Sequence, residues 1–423
     1  MSAQPNATPT VALEQVEELS RGLGETGSVL ALRERARDLV SPLVLPDRAR
    51  HLWRYTNPER FVPVVDPTVL APVAIAHEWP REDDLAAAAL VAGGALRMVE
   101  IDDEARRAGV VVEDLHRAAT DGLLGSLVPP EHGFVEAINT AAWHGGVLVR
   151  VPAGVELEHP IRVRCVASAE PVSVPRVLVV AGAGSAFEIV EGHVGGGVPA
   201  LVLGVTELTV GRDARVRYSL VQRWDSGVTG HLTARARLER GAHFQMSLAS
   251  FGGSLYKADV GAVLAGEGAQ AEMFGVSMGG EKQHMDHHTE HLHEARKTHS
   301  NLDFKVALTG AARSAYTGMI RIAHDAGGSE AYQVNRNLLL SEDARAESIP
   351  ELEILTDDVR CSHGATVAPL DDEQVFYLKS RGLPHFQAMR LIVYGFLDQT
   401  LQRLPAKTRE RIEALVASRL HEE

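Results

Sequence analysis

Hydrophobic positions follow three different rhythms along the chain. From Val11 to about residue 50, Leu13, Val16, Leu19 and Leu23 recur at spacings of three and four. Leu30, Leu32, Ala36, Leu39 and Val40 continue the pattern with charges opposite, which predicts amphipathic helix up to the Ser41-Pro42 stop. Trp53 and Tyr55 precede an Asn57-Pro58 turn and are expected to anchor their segment on the core. Residues 84–94 are Ala-rich and predict a helix, Leu96 to Ile101 alternates like a strand, and Val110–Asp121 and Glu131–Trp143 predict short helices. Residues 1–145 thus read as a mostly helical region, with a Pro-, Asn- and Thr-rich disordered tail over the first ten.

From Val147 the period becomes two. Val147–Val151, Ile161–Val166 and Arg176–Val180 alternate and are bounded by Gly, Pro or Asp. A turn dipeptide followed by Ala recurs at Ala186, Ala214, Ala242, Ala269, Ala315, Ala344 and Ala365, at spacings of 28, 28, 27, 46, 29 and 21 residues. A period near 28 without intervening helical rhythm disfavours βαβ units, and short-period turns of a sandwich are absent. The expected fold is mainly β, a β-helix (solenoid) over 146–382, with helical regions covering its ends. The gap of 46 predicts an extra excursion holding the histidines. From 383 to 423 the helical rhythm returns, with His385, Met389, Ile392 and Phe396 on one face and a last helix from Thr408 to His421. That stripe either packs on the solenoid or receives a partner.

Composition narrows the function. A net charge of −14 argues against nucleic acid as a partner. Two cysteines, Cys165 and Cys361, form no disulfide framework and supply too few thiolates for a cluster or structural zinc, which fits a cytoplasmic protein. No secretion signal and no apolar run of membrane-spanning length is expected.

Candidate chemistry is sparse. Phosphate-loop and nucleophile-elbow motifs are absent. Asp102-Asp103, Asp357-Asp358 and Asp371-Asp372 are neighbours that a strand would send to opposite faces, so turn and surface roles are expected. The run His284, His287, His288, His291, His293 and His299 would share a face on a helix. In a strand it splits into His287, Thr289, His291 and His293 against Asp286, His288 and Glu290, and polar histidines along an exposed solenoid edge are the expected outcome. Cys361 and His363 would share a strand face, Cβ atoms roughly 7 Å apart. Two ligands make half a site, so either another chain completes it, or Cys361 is a buried small residue and His363 a turn-edge hydrogen bonder.

The stretches Asn335–Ser341, Pro350–Ile354, Asp357–Val359, Cys361-Ser362-His363-Gly364-Ala365-Thr366, Phe376–Leu378 and Ser380–Gly382 resemble the SufB/SufD family of the SUF iron–sulfur cluster assembly machinery. The Trp53–Thr56 segment is similar to the family's N-terminal region, and the Cys-Ser-His-Gly-Ala-Thr form is most like SufD. The resemblance implies a right-handed parallel β-helix and a non-enzymatic scaffold with no stably bound cofactor. It implies a complex with a SufB-like paralogue and a SufC-like ATPase. His363, and less so Cys361, would touch a nascent cluster or iron at the paralogue interface. The ATPase would dock on the C-terminal helices, at Pro384, Phe386, Met389, Leu391, Ile392, Tyr394, Phe396 and Leu397. The competing readings are a SufB-like or homodimeric metal-binding β-helix and a polysaccharide-active β-helix enzyme; scarce aromatics weigh against the latter.

Overall fold

The computed structural model describes residues 11–25, 27–49, 51–69, 84–93, 95–118, 120, 122–167, 170–196 and 199–419. Its centre is a flattened parallel β-solenoid of about eight turns. Each turn gives one strand to each of two sheets. One sheet runs from Ala95–Ile101 and Ala87–Ala92 through Ile161–Ala167, Ala186–Gly195, Arg215–Trp224, His243–Ser250, Gln270–Gly279, His299–Leu308 and Ser329–Leu339 to Val359–Pro369. The other runs from Val111–Asp114 through Gly145–Val151, Pro175–Ala181, Ala200–Val210, Val228–Leu238, Leu255–Leu264, His284–His293 and Arg313–Ile322 to Arg345–Ile354.

The corner of each turn explains the period. Gly184, Asp213, Gly241, Gly268, Lys297 and Gly328 all take positive φ, between 56° and 76°. Each donates its backbone N–H to a carbonyl of the next turn, as Asp213 does to Arg240 and Gly328 to Asp358. The residue that follows is small and buried: Ser185, Ala214, Ala242, Ala269, Thr298 or Ser329. A left-handed residue reverses the chain tightly, and only a small side chain fits under the coil above. This corrects the expected excursion between Ala269 and Ala315. Lys297-Thr298 is the same corner without an alanine, and Ala315 lies in the opposite sheet, paired with Asp286 and Glu347.

The lumen is packed. Val and Ile fill the first turns, and a column of rings follows: His193 to Trp224 at 5.9 Å, Trp224 to Tyr256 at 5.5 Å, Tyr256 to His287 at 5.7 Å, His287 to Phe304 at 6.2 Å and Phe304 to Tyr316 at 5.1 Å. The few aromatics are therefore spent largely on the core rather than on an exposed cleft.

The N-terminal region caps one end and lies along one flank. Its helices Val16–Leu23 and Gly27–Val40 match the periodic stretch, and Phe134–Ala142 matches the later one. Residues 84–94, expected to be helical, instead contain the strand Ala87–Ala92, fully buried and paired in parallel with Ile161–Val166. Burial on both faces overrides alanine's helix propensity. Val110–Asp121 likewise contains the strand Val111–Asp114, antiparallel to Val147–Arg150. Trp53 is the expected anchor, wedged among Phe61, Phe134 and His231 with the Lys257 ammonium over its ring, whereas Tyr55 is only half-buried. The tail over residues 1–10 and the end of the last helix at His421 lie outside the described residues.

After Pro369 come helices Asp372–Ser380, His385–Leu401 and Ala406–Arg419. Strand character thus stops before the expected boundary at 382. Val393, Leu397 and Leu401 pack on the solenoid flank against Phe251, Phe274, Val276 and Leu338. Asp102 and Asp371 cap helices through their carboxylates, the turn role expected of the paired acids. No described helix is long and apolar enough to cross a membrane.

Candidate functional site

The two ends of the solenoid differ. At the N-terminal end the antiparallel strands Ala95–Ile101 and Val111–Asp114 cover the first turn. At the C-terminal end the sheets stop at Arg345–Ile354 and Val359–Pro369, neither with a further strand beside it among the described residues. Residues of these two strands are mostly exposed or half-buried, unlike those of the inner strands. Such an edge carries a row of unpaired main-chain N–H and C=O groups and is a template for another chain.

Cys361 and His363 sit on this edge strand. In register Cys361 lies over Ala331 and His363 over Gln333. Ala331 and Gln333 are buried, so Cys361 and His363 occupy inward positions of the last turn, which no described strand covers. Cys361 is half-buried against the core, and burial pushes its thiol pKa up despite a hydrogen bond to the Ala331 backbone. It is protonated near neutral pH and becomes a ligand only when an ion displaces the proton. His363 is exposed and its imidazole is the more accessible donor. Among the described residues no third Cys, His, Asp or Glu converges with them. Within the described residues the pair Cys361 and His363 therefore stands alone.

The C-terminal helices divide the proposed partner surface. Pro384, Phe386 and Leu391 are exposed, and Met389, Ile392, Tyr394 and Phe396 half-buried. Lys305 lies over the Phe396 ring and donates to its carbonyl at 2.6 Å. Leu397 is fully buried in the flank packing and does not face outward. One side of the helix thus packs on the solenoid through Val393 and Leu397, while Phe386 and Leu391 stay exposed on the other. Phe376 and Tyr377 on the preceding helix add exposed rings that the sequence reading did not select.

The histidine run corrects another expectation. Its first five histidines lie on the strand His284–His293, with the predicted split of faces, and His299 begins the next strand in the other sheet; His287, His288, His291 and His293 are buried rather than on an exposed edge. The inward face lines the lumen. The outward face lies under the N-terminal region: Thr56 donates to Asp286, which also accepts from Lys257 at 3.0 Å. Asp259 accepts from Arg235 at 2.7 Å, from His288 and from His132 at 2.9 Å. Burial alone would raise the Asp259 pKa, but Arg235 and then His288 outweigh it and hold the carboxyl well below its ordinary range. Arg235 supplies the positive charge beside Asp259, and the knot ties the N-terminal region to the solenoid through ion pairs. The periodicity of the run was visible in sequence; its cover by a segment more than 200 residues earlier was not.

Comparison with known proteins gives a consistent picture. The SufBD core domain of the SUF system for FeS cluster assembly matches residues 164–396. An iron–sulfur cluster assembly SufBD family protein of Staphylococcus epidermidis is 26% identical over 325 residues, covering 75% of this chain and 70% of that one. A protein of the same description from Mycobacterium leprae is 32% identical over 274 residues, 63% of this chain and 31% of its own length. A third, from Staphylococcus haemolyticus, is 26% identical over 325 residues, covering 75% of this chain and 70% of that one.

Proposed function

The chain belongs to the SufBD family of iron–sulfur cluster assembly proteins, and from that premise we propose that it is a SufD-like, non-enzymatic scaffold subunit. Its open solenoid end pairs with a SufB-like paralogue, and its C-terminal helices dock a SufC-like ATPase in the cytoplasm. The nascent cluster is cargo at the paralogue interface, not a resident cofactor of this chain.

The observation that carries this reading is the uncovered strand Val359–Pro369 with Cys361 and His363 on it. A soluble solenoid leaves such an edge bare only if something else covers it. The partner brings the thiolates this chain lacks, and His363 adds a nitrogen donor from the other side. Leu391, 53% exposed, and the rings of Phe376 and Tyr377 form the apolar surface for the ATPase. A helix rigidly packed through Val393 and Leu397 then passes a movement of the ATPase to the solenoid.

Replacing His363 with Ala is expected to lower cluster assembly by the reconstituted complex about tenfold, the cost of one lost ligand. Melting temperature and co-purification of both partners stay at wild-type level, because the imidazole packs against nothing that holds the fold. Undiminished assembly removes the ligand role. Leu391→Asp is expected to lose the ATPase from a pull-down while keeping the paralogue; retention of the ATPase would move its docking surface elsewhere.

A further inference from the structure

Inside the first turns of the solenoid, far in sequence from the open end, three different donors converge. Cys165 on Ile161–Ala167, and Glu191 and His193 on the next strand of the same sheet, point into the lumen. In register Cys165 lies directly over His193 and Val163 over Glu191. One sulfur, one carboxylate oxygen and one imidazole nitrogen all lie within 4.8 Å of one another. We propose that Cys165, Glu191 and His193 form a buried binding site for a divalent first-row transition-metal ion of zinc or ferrous type, separate from the interface half-site.

The donor set is the first argument. Thiolate, imidazole and carboxylate are the three ligand types that such ions take, usually in tetrahedral sites. The first turns of the lumen are otherwise filled largely by Val, Ile and Ala, so a charged and polar trio stands out there.

The second argument is charge. A dication with one thiolate and one carboxylate is neutral overall, the condition for burying an ion in an apolar interior. On binding, the Cys165 S–H proton leaves to solvent and the sulfur lone pair goes to the metal. No electrons are transferred to or from the ion.

The third argument is orientation. Glu191 is already held: Thr206 Oγ1 donates to it at 2.9 Å and Tyr218 Oη at 2.9 Å. Those contacts are the outer shell that fixes a carboxylate ligand. His193 Nε2 lies 2.7 Å from Glu191 Oε1, while its Nδ1 is buried with no hydrogen-bond partner. A ring nitrogen left unsatisfied in the core is costly unless something occupies it. Bonds of about 2.0–2.3 Å replace the direct His193–Glu191 contact, through small rotations of the cysteine and histidine side chains. Water completes the coordination.

The test uses full-length protein from cells grown with added cobalt, because the closed site fills during folding. Expected are one cobalt per chain by mass spectrometry and a near-ultraviolet thiolate-to-cobalt charge-transfer band. Cys361→Ser keeps both; Cys165→Ser, a near-isosteric change whose folding is checked by melting, loses the band. A wild-type protein without the band overturns the proposal whatever the variants do. So does a band lost in Cys361→Ser and kept in Cys165→Ser.

Discussion

Between pH 6.5 and pH 5 the isolated chain is expected to lose stability at roughly 5 kcal/mol per pH unit, from about 1.4 kcal/mol per proton per unit. Four histidines carry most of this slope, and His231 and His284, both lowered first by burial, add to it in the same direction. His144, His287 and His293 are pushed down to about 4, and His291 to about 3, each first by burial. Smaller lowering comes from positive neighbours, such as Lys257 near His287 and Arg235 near His291. In the unfolded chain these rings take up protons near the ordinary value of 6.5, whereas in the fold they stay neutral until the pH nears 4. Their stabilising contribution is therefore complete above pH 6.5 and is lost as pH falls toward the folded values. His132 has the opposite sign: burial lowers it, but Asp259 outweighs burial and raises it. Its contribution is present below pH 6.5 and fades as pH rises through its folded value, which blunts the slope by at most one proton. Asp259 and Asp286, both depressed, lose their contribution only at pH values below the ordinary carboxylate range. They extend the loss downward rather than start it. Urea unfolding followed by circular dichroism at pH 7.5, 6.5, 5.5 and 5 reads the slope directly. His291→Leu, which removes a ring whose two nitrogens have no partner, should reduce it by about one proton's share. A stability that is flat from pH 6.5 to 5 would sink this account.

The same histidines mark where sequence reasoning stopped. The solenoid was legible because its corner is a local device: a left-handed residue and a small one, at Asp213-Ala214 and Gly241-Ala242, repeated once per turn. The reading slipped where that device was written in other residues, as at Lys297-Thr298. It also slipped where a neighbour far away decided the outcome. Ala87–Ala92 is a strand because Ile161–Val166 lies beside it, and His288 is buried because Asp259 and the N-terminal region enclose it. The pair Cys361 and His363 was found from a period of two, and the strand confirms their shared inward face. The trio in the lumen was not found. Cys165 and His193 are 28 residues apart, one turn of the repeat, but no local motif joins them, and only the register places one over the other.

Proline at position 365 is expected to abolish pairing with the paralogue while leaving the solenoid intact. Leu370 donates its N–H inward to Leu339, and Asp358 accepts inward from Gly328. Alternation along the strand therefore turns the even residues toward Ser329–Leu339, and sends the N–H and C=O of Cys361, His363, Ala365 and Val367 to the open edge. Ala365→Pro deletes one outward N–H and puts a ring in the path of an incoming strand, a change that edge strands tolerate within their own fold. The loss of one main-chain hydrogen bond alone weakens association about tenfold, and the steric block adds to that. Thr366→Pro is the complementary case. It removes an inward N–H and disturbs the carbonyl that accepts from Asn337 at 3.2 Å, so its melting temperature should fall. Co-purification of the paralogue and thermal melts of both variants separate the two effects. If Ala365→Pro holds the paralogue as tightly as wild type, the partner does not pair with this edge, and the proposed shared site at Cys361 and His363 loses its structural basis.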